Sequence, residues 1–508
     1  MFVFFKDYYA NGQELLTDID EIQKYWSGQR AYRDTPEDGF GVKDTGLPDG
    51  CQVEQLQIFH RHSIRYPSSD ENAYITALNT KIKAAQNLSS SSFTGPLSFI
   101  NKWSLQLSSN VLNAAGVSVA YDSGVLFWKR YGRLLYDAVP GQTSYNATGQ
   151  KKPVLRASTL PRVLDTAKIW AQGFFGPNDA TDKHTLLEVP FVTTQNSSLS
   201  SFMSCTNYGG PIGIGGGILA PSQAPITATL PYYLNDTVDR LKQYMPTSMN
   251  LTVDDVFAMQ ALCQFEFYGI GSSDFCNLFT LDEWKGFNYV YDSFMYNRAS
   301  FGNPGARAVG IGFLQEILAR LQGQYINSSE TSINSTLDSD PETFPLDQKA
   351  YLDVTNDFMV LGTVTAMSLD YFKGPLPLVY PRPDNRTFQL TKMTQYGGRL
   401  TVEKIGCTSA NPTAKSKVTQ YTNDQYGYSP DNATFKFVRF RMNMGILPLS
   451  TIRGGLCDIE GRTDGLCPLD KFVESQANAT TLANYQYVCF GNFTYDPAKF
   501  QGDGTYFE

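Results

Sequence analysis

The stretch "CQVEQLQIFHRHSIRYP" runs from Cys51 to Pro67. Val53 to Phe59 reads as a buried strand with Leu56 and Ile58 facing one way. It leads directly into Arg61-His62-Ser63-Ile64-Arg65. The chain of 508 residues has three histidines, and two of them, His60 and His62, lie here. His60 continues the strand pattern and is expected to pack against the core. His62 sits between two guanidinium groups that repel its protonated form, so its imidazole is expected to be neutral. A neutral imidazole nitrogen is a nucleophile. Two arginines four apart can converge on a phosphate through planar paired donors. Ends of strands in α/β proteins are where such sites lie. On local features alone a solvated charged turn after a strand is the better reading.

Composition narrows the classes. The net charge is −8 and the pI about 5.1, so the whole-chain field gives no reason to expect nucleic acid. Any anion site must come from a local cluster of arginines. The eight cysteines include no CxxC pair, and three histidines are too few for a zinc cluster, so no metal and no cofactor is expected. Paired cysteines and eleven N-x-S/T sequons favour a secretory or extracellular route with N-linked glycans. "MFVFFKDYY" at the start is too short an apolar run for a signal peptide or a span. The expectation is therefore either a leader or membrane anchor upstream, or a chain that is not secreted. "NYGGPIGIGGGILAP" (207–221) lacks a following helix signal and a phosphate-binding lysine, and reads as a surface insertion. His184 reads as a surface residue.

Further along, "PVLRASTLPRVLDTAKIWAQGFFG" contains a second strand-to-helix step, with Val163, Ala167, Trp170 and Phe174 as an apolar stripe behind Arg162. "GIGFLQEILARLQG" is an amphipathic helix with Phe313, Ile317 and Leu321 inward. "KAYLDVTNDFMVLGTVTAMSL" reads as strand, sharp turn and helix, and "FKFVRFRMNM" as a late strand. The expected class is α/β, a sheet interrupted by a mostly helical insertion. The expected division is an N-terminal extension over 1–44, an α/β unit over 45–180 and 340–508, and a helical insertion over 181–339.

"RHSIRYP" resembles the RHGxRxP signature of the histidine phosphatase superfamily, and specifically of the fungal histidine acid phosphatases and phytases. "FCNLFTLDEW", "GNPGARAVGIGFLQEILARL", "TLDSDPETFPLDQKAYLDVTND" and "GLCPLDKFVESQ" resemble phytase segments in order, over roughly residues 45–495. The resemblance implies a histidine phosphatase-like sheet domain with an inserted helical domain. It implies that His62 forms a phosphohistidine, that Arg61, Arg65 and Arg162 bind the phosphoryl oxygens, and that Asp357 protonates the leaving oxygen. It also implies the disulfides Cys51–Cys407, Cys205–Cys489, Cys263–Cys276 and Cys457–Cys467.

Two positions depart from the family pattern. Asn356 stands where the family has histidine, and it cannot carry positive charge. Ser63 stands where the family has glycine, beside the nucleophile, and either reshapes the loop or offers a further hydroxyl to a ligand. The rim departs as well. Family lysines are replaced at Glu71, Ala73, Tyr74, Phe294 and Met295, although Arg298 lies nearby. Such a rim should repel a polyanion at Glu71 and accept an apolar body at Tyr74, Phe294 and Met295. The expected activity is phosphomonoester hydrolysis on a small anionic substrate with a hydrophobic body, not phytate. One alternative is a repurposed lyase, isomerase or cyclase of natural-product biosynthesis using His62 and Asp357 as an acid–base pair. Another is a non-catalytic binding protein.

Overall fold

Strand β1, Cys51–Arg61, is buried along nearly its whole length. A β-bulge between Val53 and Gln55 shifts its alternation. Cys51 and Val53 thereby join Leu56 and Ile58 in one apolar cluster, while Phe59 faces the other. β1 is the pivot of an eight-stranded mixed sheet. The computed structural model describes residues 9–10, 13–88, 92–145, 151–176, 183–209, 220–378, 382–417 and 427–506. The initial "MFVFFKDYY" and the glycine-rich stretch of 207–221 fall largely outside the described residues.

The remaining strands are β2 (Val154–Ser158), β3 (Thr185–Val189), β4 (Ala350–Thr355), β5 (Arg399–Cys407), β6 (Phe435–Met442), β7 (Gly445–Ile446) and β8 (Cys467–Pro468). The order is β8-β6-β5-β1-β4-β2-β3, with β7 paired to β6. β1, β4, β2 and β3 run parallel, while β5 and β6 continue from β1 antiparallel. The parallel set therefore ends at one edge of the sheet, and the residues just beyond β1, β2 and β4 converge there.

The principal helices are α1 (Ser69–Gln86), α2 (Ala114–Tyr136), α3 (Pro161–Phe175), α4 (Ala220–Lys242), α5 (Val253–Ile270), α6 (Leu281–Ala299), α7 (Ala306–Gln322) and α8 (Asp357–Ala366). α2 and α3 cover one face of the sheet through Phe127, Val163, Ala167, Trp170 and Phe174. α7 and α8 cover the other, with Phe313, Ile317 and Leu321 inward. Gly310 of α7 lies against Gly362 of α8, where an added Cβ would meet the Gly362 carbonyl oxygen at 2.0 Å. That contact fixes how deeply α8 sits, and with it the place of Asp357.

A third apolar cluster holds α1, α4, α5 and α6. α5 is buried on nearly all sides, as a helix without a polar face must be. The division at 181 and 339 stays a proposal, and the two layers share helices across it: α1 packs with the helical layer and α7 with the sheet. The N-terminal segment also enters the body of the molecule. Trp26 is fully buried between the rings of Phe267 and Tyr268.

Four disulfides join Cys51–Cys407, Cys205–Cys489, Cys263–Cys276 and Cys457–Cys467. The first staples β1 to β5 at directly opposed positions. The first two pairs, Cys51–Cys407 and Cys205–Cys489, close long loops and constrain the unfolded chain by several kcal/mol each, about 4.7 for roughly 100 residues in the chain-entropy picture. His184 departs from expectation. It is buried, with its ring stacked on Phe175 at 4.9 Å, because the chain turns inward as β3 begins.

Candidate active site

Beyond β1, the backbone N–H of His62 donates to the Thr355 carbonyl at 2.8 Å, which extends the β1–β4 pairing by one step. The chain then leaves the sheet and is held from the side. Tyr66 N–H donates to the Val111 carbonyl at 2.9 Å. Gly116 of α2 packs on Ile64, where a Cβ would lie 2.0 Å from the Ile64 carbonyl oxygen. Only glycine allows that helix to approach the 62–65 loop so closely. The Ser63 N–H donates to Thr166 Oγ1 of α3 at 3.0 Å, tying the same loop to the helix that carries Arg162.

These constraints place Arg61, His62, Arg65, Arg162, Asn356 and Asp357 on the wall of one cavity of about 350 Å³. That volume is at the lower end of the range for small-molecule sites. Tyr74, Phe294, Met295 and Glu71 line it too. Ser63 does not. Its side chain is fully buried outside the cavity wall, so it offers no hydroxyl to a ligand. Its part in the site is its backbone. His62 Nδ1 lies 2.8 Å from the Ser63 carbonyl oxygen. A carbonyl only accepts, so Nδ1 carries the proton and Nε2 keeps its lone pair.

The His62 imidazole is held well below the usual histidine range, first by burial and then by Arg162, Arg61 and Arg65. Burial is the largest single cause, and the arginines named in the sequence analysis add to it. His60 behaves as expected of a core residue. It is fully buried, Nε2 meets Ser123 Oγ at 2.8 Å, and burial with Arg399 lowers its pKa to about 3.

Each of the three arginines has its own partner. Arg61 Nη2 pairs with Asp357 Oδ2 at 2.8 Å, and Nη1 donates to the Gly28 and Thr394 carbonyls. Arg65 Nη1 pairs with Glu71 Oε2 at 2.5 Å. Arg162 donates to the amide oxygens of Asn110 and Asn356, each at 3.3 Å. Burial, and then the nearby Arg65 charge, lowers Arg162 to about 10. Its place in the first turn of α3 also sets it against the helix dipole. Asn356 caps α8. With its oxygen taken by Arg162, its Nδ2 is left without a partner at the cavity.

Glu71 departs from the rim expectation. It is buried, and its carboxylate accepts from Gln29 Nε2 at 2.7 Å and from the Ser68 N–H at 2.7 Å. The sequence does carry the signal, because Ser68-x-x-Glu71 ahead of an apolar helix is a capping box. Held there, Glu71 reaches inward to Arg65 and neutralises it. Arg65 in turn pulls the Glu71 carboxyl below the usual range despite its burial.

Several residues at the site had no sequence signal. Gly28 and Gln29 arrive from the N-terminal segment. Tyr396, fully buried, lies under the guanidinium groups of Arg61 at 4.5 Å and Arg65 at 5.6 Å, with the His62 ring 5.9 Å away. A π face at these distances favours both cations and fixes their planes. The outer walls are apolar, from Phe257, Val290, Tyr291, Phe358 and Leu390. Tyr74 and Tyr291 join through their hydroxyls at 3.1 Å.

Among the described residues no group of acids, histidines and cysteines could hold a metal ion, and no helix is long and apolar enough to cross a membrane. Residues 52–443 match the family model described as histidine phosphatase superfamily (branch 2). Phytase A of Aspergillus fumigatus is 27% identical over 419 residues, covering 80% of this chain and 84% of that protein. Phytase A of Aspergillus oryzae is 26% identical over 492 residues, covering 93% of each. The fold is that of the crystal structure of a phytase from D. castellii, with a TM-score of 0.67 at 22% identity over 93% of this chain and 88% of that one. It also matches a multiple inositol polyphosphate phosphatase of Bifidobacterium longum, solved with inositol hexasulfate, with a TM-score of 0.56 at 12% identity over 94% of this chain and 99% of that one. The chain belongs to the histidine phosphatase superfamily, branch 2, and so to the phosphoric monoester hydrolases, with fungal phytases among its relatives.

Proposed function

We propose that the protein hydrolyses phosphate monoesters of small molecules with an apolar body, through a phosphohistidine on His62. The observation that carries this is the His62 Nδ1 bond to the Ser63 carbonyl, which leaves Nε2 unprotonated in a cavity shared with three arginines and Asp357. In the first step Nε2 attacks phosphorus, the N–P bond forms and the P–O bond to the leaving group breaks. Asp357 gives its proton to the departing oxygen. In the second step water attacks the phosphohistidine, Asp357 takes the water's proton, and His62 is regenerated. Arg61, Arg65, Arg162 and the unpartnered Asn356 amide supply donors to the phosphoryl oxygens, whose charge shifts in the transition state.

Preference for an apolar substrate is supported by the walls and by the charge balance. Tyr74, Phe294 and Met295 stand where the family pattern has basic rim residues, and Tyr291 and Phe358 add to the same apolar wall. Glu71 already neutralises Arg65. A secretory route with N-linked glycans is supported by the four disulfides and by the sequons. Of the ten sequon asparagines within the described residues, nine are exposed and Asn334 is half-buried.

Side-by-side kinetics test the substrate reading. A hydrophobic monoester such as a naphthyl phosphate should give a kcat/KM at least tenfold above that for inositol hexakisphosphate. Equal or reversed values would restore a plain phytase.

A further inference from the structure

Four arginines line the cavity, and three of them are engaged. Arg61 has Asp357, Arg65 has Glu71, and Arg162 has two amide oxygens. Arg298 forms no ion pair among the described residues, and its Nε is buried without a partner. It lies in the last turn of α6, where a cation suits the helix dipole, so its position in sequence has a bland account. The dipole does not explain its surroundings. Its guanidinium lies over the ring of Phe294 at 5.4 Å and over that of Phe358 at 5.0 Å. The two rings desolvate the cation and fix its plane, which strengthens any anion it meets. The backbone beneath is anchored too, because Tyr208 Oη donates to the Arg298 carbonyl at 2.5 Å.

The location defines the role. Phe358 follows Asp357, and in the proposed mechanism Asp357 faces the oxygen that leaves. The space bounded by Phe358, Phe294 and Arg298 is therefore where the leaving group lies once its ester oxygen is at Asp357.

We infer that Arg298 is a second anion subsite, receiving an acidic group carried on the apolar leaving group of the substrate. The ligand class is a phosphomonoester whose aromatic or aliphatic body lies on Phe294 and Phe358 and ends in a carboxylate or a comparable oxyanion. This deepens the hydrolase reading and rests on it for which part of the substrate is the leaving group.

The test compares two non-hydrolysable phosphonates by isothermal titration, so that it does not depend on turnover. Benzylphosphonate carries one anionic group and para-carboxybenzylphosphonate carries two. The wild type should bind the carboxylated ligand about tenfold tighter, the scale of one charge-assisted contact. Arg298→Leu should abolish that ratio and Arg298→Lys should retain part of it. Arg298→Gln gives a second neutral variant should leucine at this place not fold. Equal affinities in the wild type, a ratio that persists without the guanidinium, or failure of both ligands to bind would overturn the subsite. A wild type that shows the ratio but never forms a phosphoenzyme would leave the subsite standing and sink the hydrolase reading instead.

Discussion

Arg65 and Glu71 form a buried ion pair, Nη1 to Oε2 at 2.5 Å, six residues apart and at the wall of the proposed phosphate pocket. The pair exists because two local requirements meet in one side chain. Glu71 closes the capping box of α1 with Ser68, and Gln29 from the N-terminal segment holds its other oxygen. An arginine poised for phosphate is thus already occupied. A phosphoryl oxygen must share Arg65 with a carboxylate.

The first prediction concerns that competition. Glu71→Gln keeps the cap acceptor but removes the charge, so inorganic phosphate should bind about tenfold tighter as a competitive inhibitor. The variant should also be less stable, since breaking a buried pair costs about 3–5 kcal/mol. Inhibition constants and thermal melts measured together check both. Unchanged or weaker phosphate binding in a folded variant would mean that Glu71 does not limit Arg65.

Position 356 gives a second test. Asn356 Nδ2 is an unpartnered donor where the family pattern has histidine. Asn356→His adds an imidazole that can carry charge at acidic pH beside the phosphate. Hydrolysis of an aryl phosphate should rise several-fold below pH 6, with little gain at pH 8. A flat response in a folded protein would show that this departure is not limiting.

The proton donor is separable from the nucleophile. Asp357→Asn should slow esters with poor leaving groups by about 10²–10⁴-fold, and activated aryl esters far less. His62→Ala should abolish both. Equal losses for the two ester types in Asp357→Asn would remove the acid role.

The fourth prediction concerns pH. His62 and His60 are both held below the ordinary histidine value of about 6.5. Below that value the unfolded chain binds protons that the folded chain refuses, so stability falls as pH drops. Each site contributes up to about 1.4 kcal/mol per pH unit. For His60 the loss runs from 6.5 to about 3. Denaturation between pH 7 and 4 should show this slope, and His60→Gln should reduce it. Activity should behave differently. His62 stays neutral in the folded protein, so the acid limb of kcat/KM should lie well below 6.5. An acid limb near 6.5 would contradict the neutral-nucleophile assignment.

Much of this site was legible because it is local. Arg61, His62 and Arg65 follow one strand, Asn356 and Asp357 follow another, and parallel pairing alone brings them together. Glu71 was legible as a residue but not in its orientation. A lost lysine suggested a rim charge, while capping geometry turned the carboxylate inward. Tyr396, Gly28 and Gln29 were not legible. Gly28 and Gln29 reach the site from before β1 and Tyr396 from far beyond it, through packing that no local pattern encodes. Of the two readings of Ser63, the offered hydroxyl fails, because its side chain is buried off the cavity wall and only its backbone serves the site.

The central claim is a covalent phosphohistidine on His62. The direct measurement is alkaline quench during turnover of an activated aryl phosphate, followed by peptide mass spectrometry. Asp357→Asn serves as the trapping variant, because it lacks the group that activates water for the second step. One phosphoryl group should appear on the His62 peptide, more strongly in Asp357→Asn than in the wild type and absent from His62→Ala. Steady turnover with no phosphorylated His62 peptide in either protein would contradict the account, and would point to acid–base use of His62 and Asp357 without a covalent step.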